Sequence, residues 1–187
     1  DLRNMMFTAS EKHVGPFSIR YPRGTGSIVN WRNAFEEVPV GKGRKLRKGE
    51  TVAVLSVGAI GTEAVKALDS LYKKGVLIAH YDMRYIKPLD DVMLHEIFSQ
   101  FKGVITLEDG VIQGGFGSAV IEWMMEHGYN TTVTRMGIED KWIEHGTQAE
   151  LYAECGYDAE AIEIKIVEEL DRINTMSNSA VNKTQSA

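Results

Sequence analysis

From Thr51 onward the chain alternates short apolar runs with longer stretches whose apolar residues recur every three or four positions. Val52-Ala53-Val54-Leu55-Ser56-Val57-Gly58 reads as a strand buried on both faces, since it is short, almost wholly apolar and rich in β-branched residues. A helix follows over 61–73, with Ala64, Val65, Leu68, Leu71 and Tyr72 inward and Gly75 past its end. Residues 76–82 repeat the strand pattern. Pro88 opens a helix over 90–101, whose stripe is Met93, Leu94, Ile97, Phe98 and Phe101. Two further strands are expected at 103–107 and 131–136. Between them, a loop containing Gly110, Gly114, Gly115 and Gly117 leads to a helix with Ala119, Val120, Trp123 and Met124 on one face and Ser118 as its expected N-cap. Thr147 and Glu150 have the spacing of a capping box for a short helix that ends near Cys155-Gly156. Asp158 caps a last helix that reaches about Ile173, with Ile162, Ile166, Val167 and Leu170 as its stripe. Strands alternating with helices predict an α/β unit with a largely parallel sheet covered on both faces.

The pattern before Thr51 is different. Residues 1–13 read as a short amphipathic helix (Leu2, Met5, Met6 and Ala9 share a face) that Gly15-Pro16 breaks. Phe17-Ser18-Ile19-Arg20 alternates as a strand would, and the loop Tyr21-Pro22-Arg23-Gly24-Thr25-Gly26 follows. No partner strand lies nearby, so this strand reads as the last of a sheet whose other strands lie upstream. Residues 24–50 lack regular pattern and read as a crossing between domains. The tail from Thr175 to Ala187 is rich in Ser, Asn and Thr and is expected to be disordered.

Composition narrows the function classes. The 187 residues carry 43% hydrophobic and 25% charged side chains and a net charge of −5, which argues against a nucleic-acid binder, since that needs a basic face. Cys155 is the single cysteine, so neither an internal disulfide nor a multi-cysteine metal site is available, and a reducing cytoplasm is the expected compartment. No apolar run reaches the length of a membrane span, and Asp1-Leu2-Arg3 opens mid-pattern, as a fragment would, and not as a signal peptide.

Five features are candidates for chemistry. A glycine-rich strand-to-helix turn can cradle a phosphate, but the spacing of Gly110, Gly114, Gly115 and Gly117 fits neither the dinucleotide fingerprint nor the P-loop, which favours tight packing of the backbone. Arg20 and Arg23 flank Tyr21-Pro22, where a planar guanidinium on a stiffened loop suits a phosphate or carboxylate, or else an interface ion pair. Glu108 and Asp109 sit at a strand end but point to opposite sides, so loop-ordering or interface roles suit them better than acid–base work. His145, just before a helix start, could meet an anion; packing is the favoured reading. The basic run Lys42, Arg44, Lys45, Arg47, Lys48 could form an anion site; an edge strand or a solvated linker is the favoured reading. The five histidines show neither HxH nor HExxH spacing, and no metal site is expected.

Gly15-Pro16-Phe17-Ser18-Ile19-Arg20-Tyr21-Pro22-Arg23-Gly24, Asp82 to Asp90, Leu107 to Ser118, and Gly137 to Thr147 together resemble, in register and in order, the 1-deoxy-D-xylulose-5-phosphate synthase family of transketolase-like enzymes. The resemblance runs from residue 1 to about 173. It implies a homodimeric cytoplasmic transferase that uses thiamine diphosphate and Mg²⁺ to condense pyruvate with glyceraldehyde 3-phosphate, releasing CO₂. The product feeds isoprenoid (terpenoid), thiamine and pyridoxal biosynthesis. It implies the end of a pyrimidine-binding domain at 1–37, a linker and edge strand at 38–50, and a transketolase C-terminal domain at 51–174. That domain is expected as three α/β/α layers on a mixed five-stranded sheet, with the basic stretch 43–48 as an antiparallel edge strand. No catalytic, cofactor or metal residue is expected in this segment, which alone is expected to be inactive. The substrate-binding expectation rests on Arg23, for the phosphate of the aldehyde substrate, with Arg20 second. Alternatives are a free-standing phosphate- or nucleotide-binding domain and a dimerisation module.

Overall fold

The structure, a computed structural model, describes residues 1–12, 15–22 and 32–185. Five strands form one sheet in the order β1-β3-β2-β4-β5: β1 (Arg44–Arg47), β2 (Val52–Val57), β3 (Ala79–Asp82), β4 (Gly103–Val111) and β5 (Thr132–Ile138). β2, β3, β4 and β5 run parallel, and β1 lies antiparallel along β3 with Arg44 opposite Asp82. The mixed five-stranded sheet with a basic edge strand is the arrangement expected for the transketolase C-terminal domain. An edge rich in cations suits β1, because charge discourages pairing with another chain.

The helices are α1 (Leu2–Lys12), α2 (Gly61–Lys73), α3 (Asp91–Gln100), α4 (Phe116–Glu126), α5 (Gln148–Glu154) and α6 (Ala159–Gln185). Side chains alternate across the parallel strands, so the sheet feeds two cores. Val52, Val54, Ile105 and Leu107 pack with Leu68 and Leu71 of α2 and Ile162 and Ile166 of α6. Ala53, Leu55 and Val104 pack with Leu94, Ile97 and Phe98 of α3 and Val120 and Trp123 of α4. Each fully buried aliphatic side chain stabilises this three-layer arrangement by about 1.5–3 kcal/mol.

Several boundaries differ from the sequence expectation. β3 begins at Ala79 rather than residue 76, because the Leu77 carbonyl accepts the Glu50 N–H at 3.0 Å instead of a ladder bond. β4 continues past residue 107 to Val111 through a register shift against β5. Residues 17–20, expected as a strand, form none. Gly115, not Ser118, caps α4. The last helix runs on to Gln185, beyond the Ile173 where the apolar stripe ends and into the stretch expected to be disordered. Nothing between Asp158 and Ala187 is a Gly or Pro that would stop it.

The N-terminal segment docks on this sheet. The buried Thr8 hydroxyl accepts the Val38 N–H at 2.8 Å, and the Tyr85 hydroxyl donates to the Val38 carbonyl at 3.2 Å. The Asp1 carboxylate pairs with Arg44 at 2.9 Å and with Arg84 at 3.3 Å.

Candidate functional site

Chain connections leave β2 toward β3 and β4 toward β5, on opposite sides, so the carboxyl ends of β2 and β4 flank the switch point of the sheet. That is where open α/β sheets hold ligands, and where the glycine loop lies. α4 starts there, with its first N–H groups unpaired by the helix itself.

Those groups are already taken. Glu108 faces α4 from β4 and is only 5% exposed. Its Oε2 accepts the Phe116 N–H at 2.8 Å and its Oε1 accepts the Gly117 N–H at 2.9 Å. A carboxylate at a helix start satisfies two orphan donors and meets the positive end of the dipole. The position a phosphate would use in a glycine-loop site is therefore filled by the chain's own anion.

A second set of bonds closes the loop from the outside. Ser118, expected as the N-cap, instead donates its hydroxyl proton to the Ile112 carbonyl at 2.9 Å and accepts the Gly114 N–H at 3.1 Å. Arg135 of β5 donates from Nη1 to the same carbonyl and to Ser118 Oγ, each at 2.8 Å. The glycines make the close approach possible. A Cβ on Gly115 would lie 2.2 Å from Glu108 Oε2, and one on Gly117 would lie 2.5 Å from Thr106 Oγ1. Tight packing, the favoured reading of these glycines, is what the geometry requires at both positions.

Asp109 points to the other face, as the alternation of a strand demands. Its Oδ1 accepts the Tyr157 hydroxyl at 3.1 Å, and burial first, then the Asp109 charge, pushes the phenol upward. Glu108 and Asp109 thus order two separate contacts and are not an acid–base pair.

Of the two candidate arginines, Arg23 lies outside the described residues. Arg20 reaches the same strand end: its Nη2 donates to the Asp109 carbonyl at 2.8 Å. A Cβ on Gly110 would lie 3.2 Å from its Nη1. Arg20 is thereby joined to the β4 bulge, a contact between the N-terminal segment and the sheet unit.

The remaining candidates separate. The basic run is ion-paired along the sheet edge: Lys42 with Asp90 at 3.0 Å, Arg44 with Asp82 at 2.9 Å, Lys45 with Glu96, and Arg47 with Asp69. His145 is exposed, so packing does not explain it: the segment from Lys141 to Gly146 runs over the surface before α5. Cys155 is partly buried against the α2–α6 core, and burial raises its thiol. Two further buried polar groups hold the sheet to its surroundings. His80 Nε2 lies 2.9 Å from Ser56 Oγ in the α2–α6 layer, and burial, with Arg47 and Arg44 adding to it, lowers the imidazole to about 4. Asp90 caps α3 through the Met93 N–H at 3.2 Å while also accepting the Gly43 N–H at 3.0 Å.

Comparison with known proteins adds what the geometry alone does not. The profile of the family described as "Transketolase, C-terminal domain" matches residues 41–162. The 1-deoxy-D-xylulose-5-phosphate synthase of Parabacteroides distasonis is 54% identical over 162 residues, which is 87% of this chain and 26% of that protein. The synthase of the same name from Cytophaga hutchinsonii is 52% identical over 163 residues, again 87% of this chain and 26% of that protein. The chain thus spans about a quarter of the length of these relatives. Among solved structures, one titled "Split gene transketolase, inactive beta4 tetramer" superposes with a TM-score of 0.66 at 28% identity, covering 71% of this chain and 43% of that one.

Proposed function

The chain belongs to the transketolase C-terminal domain family, and from that premise we propose that it is the C-terminal part of a 1-deoxy-D-xylulose-5-phosphate synthase. The observation that carries the proposal is the 54% identity to a synthase of that name over 87% of the chain. On this reading the whole enzyme condenses pyruvate with glyceraldehyde 3-phosphate to 1-deoxy-D-xylulose 5-phosphate and CO₂, as a cytoplasmic homodimer. Thiamine diphosphate, with Mg²⁺, would supply the electron sink that lets pyruvate lose CO₂ and its remaining two carbons join the aldehyde.

The described residues do not fit that cofactor. The glycine loop's helix start is closed by Glu108. The candidate cation cluster among the described residues is Asp91, His95 and His127, a nitrogen-rich set unlike the oxygen ligands Mg²⁺ prefers. On this reading the cofactor is assigned to another part of the enzyme, and this segment to structure and substrate contact. Residues 1–37 are read as the end of the pyrimidine-binding domain, consistent with the docking of Arg20 and Thr8 on the sheet unit and its approach. Trp142 is 90% exposed in the segment between β5 and α5, which favours a contact between that segment and the rest of the dimer.

Arg23 is assigned to the phosphate of glyceraldehyde 3-phosphate, and Arg20 to joining the two domains. In the full-length enzyme, Arg23→Ala is expected to raise KM for glyceraldehyde 3-phosphate about tenfold to a hundredfold, the worth of a charge-assisted hydrogen bond of about 1.5–3 kcal/mol. KM for pyruvate should change far less. Equal changes for both substrates would remove Arg23 from the phosphate.

A free-standing phosphate-binding domain is the weaker reading, because an incoming phosphate would have to displace a buried carboxylate from two backbone donors.

A further inference from the structure

We propose that α3 and α4 carry a surface site for a divalent transition-metal ion of the Zn²⁺ class, with Asp91, His95 and His127 as its ligands. Asp91 and His95 lie one turn apart on α3, and His127 ends α4. One ligand atom from each lies within 4.8 Å of the others. The approach is set by helix spacing and packing, so the three groups converge without any sequence motif.

Hydrogen bonds fix which ring nitrogens are available. His127 Nδ1 lies 2.8 Å from the Trp123 carbonyl, which can only accept, so Nδ1 carries the proton and Nε2 keeps its lone pair. His95 is settled by a chain. The Ser99 hydroxyl donates to the His95 carbonyl at 2.7 Å, so at 3.2 Å the Tyr129 hydroxyl is the donor to Ser99. At 2.9 Å the His95 Nδ1–H then donates to Tyr129, leaving the His95 Nε2 lone pair free. Both free nitrogens face the Asp91 carboxylate, His95 Nε2 at 3.9 Å and His127 Nε2 at 3.7 Å.

Three electron-rich atoms facing one another call for a cation. Metal-binding histidines characteristically anchor their other nitrogen in this way. The carboxylate is anchored too, since Trp123 Nε1 donates to Asp91 Oδ1 at 2.7 Å. Trp123 stacks on His127 with ring centroids 4.0 Å apart, holding that ring from behind. Two imidazoles and one carboxylate suit Zn²⁺, Ni²⁺, Co²⁺ or Cu²⁺ and not Mg²⁺. Bonds of roughly 2.0–2.2 Å require the two rings to tip inward, and the exposure of Asp91 leaves the fourth position to water. The bound ion would clamp α3 to α4.

Equilibrium dialysis of the chain against ZnCl₂, with bound metal counted, tests the site. The expected result is one Zn²⁺ per chain, undisturbed by equal Mg²⁺, and tetrahedral Co²⁺ absorption bands when Co²⁺ is used instead. Asp91→Asn, His95→Ala and His127→Gln should each weaken binding at least tenfold. Tyr129→Phe keeps the ring and removes only the anchor of His95, and should weaken binding about tenfold with an unchanged circular dichroism spectrum. Cys155→Ser should leave it unchanged. The proposal is overturned by absence of stoichiometric Zn²⁺, by binding that survives all three ligand substitutions, or by binding that depends on Cys155.

Discussion

The Glu108 Oε2 accepts the backbone N–H of Phe116, eight residues onward past the glycine-rich loop, at 2.8 Å, and its other oxygen holds the neighbouring Gly117 N–H. β4 and α4 are thereby latched at the point where a ligand would enter the sheet. Glu108→Ala would orphan two buried donors, each worth about 1–3 kcal/mol. A loss of about 2–5 kcal/mol in unfolding free energy is expected from urea denaturation, with Glu108→Gln intermediate. A loss below about 1 kcal/mol would mean that the loop is held by the Arg135–Ser118 bonds instead.

Close backbone approach should make two glycines intolerant of alanine. A Cβ on Gly49 would lie 1.9 Å from the Ala79 nitrogen and 2.2 Å from the Ile78 carbonyl carbon, which are backbone atoms and cannot rotate away. A Cβ on Gly115 would lie 2.2 Å from Glu108 Oε2 and 2.4 Å from the Val111 oxygen. Gly115→Ala should cost about 1–3 kcal/mol or more by forcing the loop to shift, and Gly49→Ala more than that, because it parts the turn from β3. Thermal melts of the two variants check the order. A Gly49→Ala protein as stable as the parent would contradict the packing described.

His80 should make the fold sensitive to mild acid. Its imidazole is lowered from 6.5 to about 4 in the folded chain, chiefly by burial. Above about pH 6.5 the ring is neutral in both states and costs nothing. As pH falls toward about 4 the unfolded chain takes up a proton that the folded chain refuses, so stability drops by about 1.4 kcal/mol per pH unit, roughly 3 kcal/mol in all. Below that the two states titrate alike and the slope vanishes. His80→Gln, measured against the parent by urea denaturation from about pH 7 to about pH 5, should lack this slope. Parallel pH profiles would show that His80 is not the group responsible.

Much of the fold was legible because its determinants are local. The run 52–57 is too short and too apolar to be anything but a buried strand, and the Thr147–Glu150 capping box lies within one helical turn and is present with both its bonds. For β1 the residues left an edge strand and a solvated linker both open and family resemblance chose the strand, since Arg44-Lys45-Leu46-Arg47 has no apolar pattern and owes its place to carboxylates on β3, α2 and α3. The Glu108 latch was hidden for a different reason. Its partners lie eight and nine residues onward, beyond a bulge, where no capping rule looks, so Ser118 reads as the natural cap. The histidine cluster was hidden too, because His95 and His127 meet only once α3 and α4 pack side by side.

Under the proposed function, a glycine loop latched by Glu108 leaves the cofactor to another part of the enzyme. Isothermal titration of this chain with thiamine diphosphate and Mg²⁺ tests that claim most directly. No saturable heat is expected. One-to-one binding that disappears when Gly114, Gly115 or Gly117 is substituted would contradict it and return the loop to the role of a phosphate cradle.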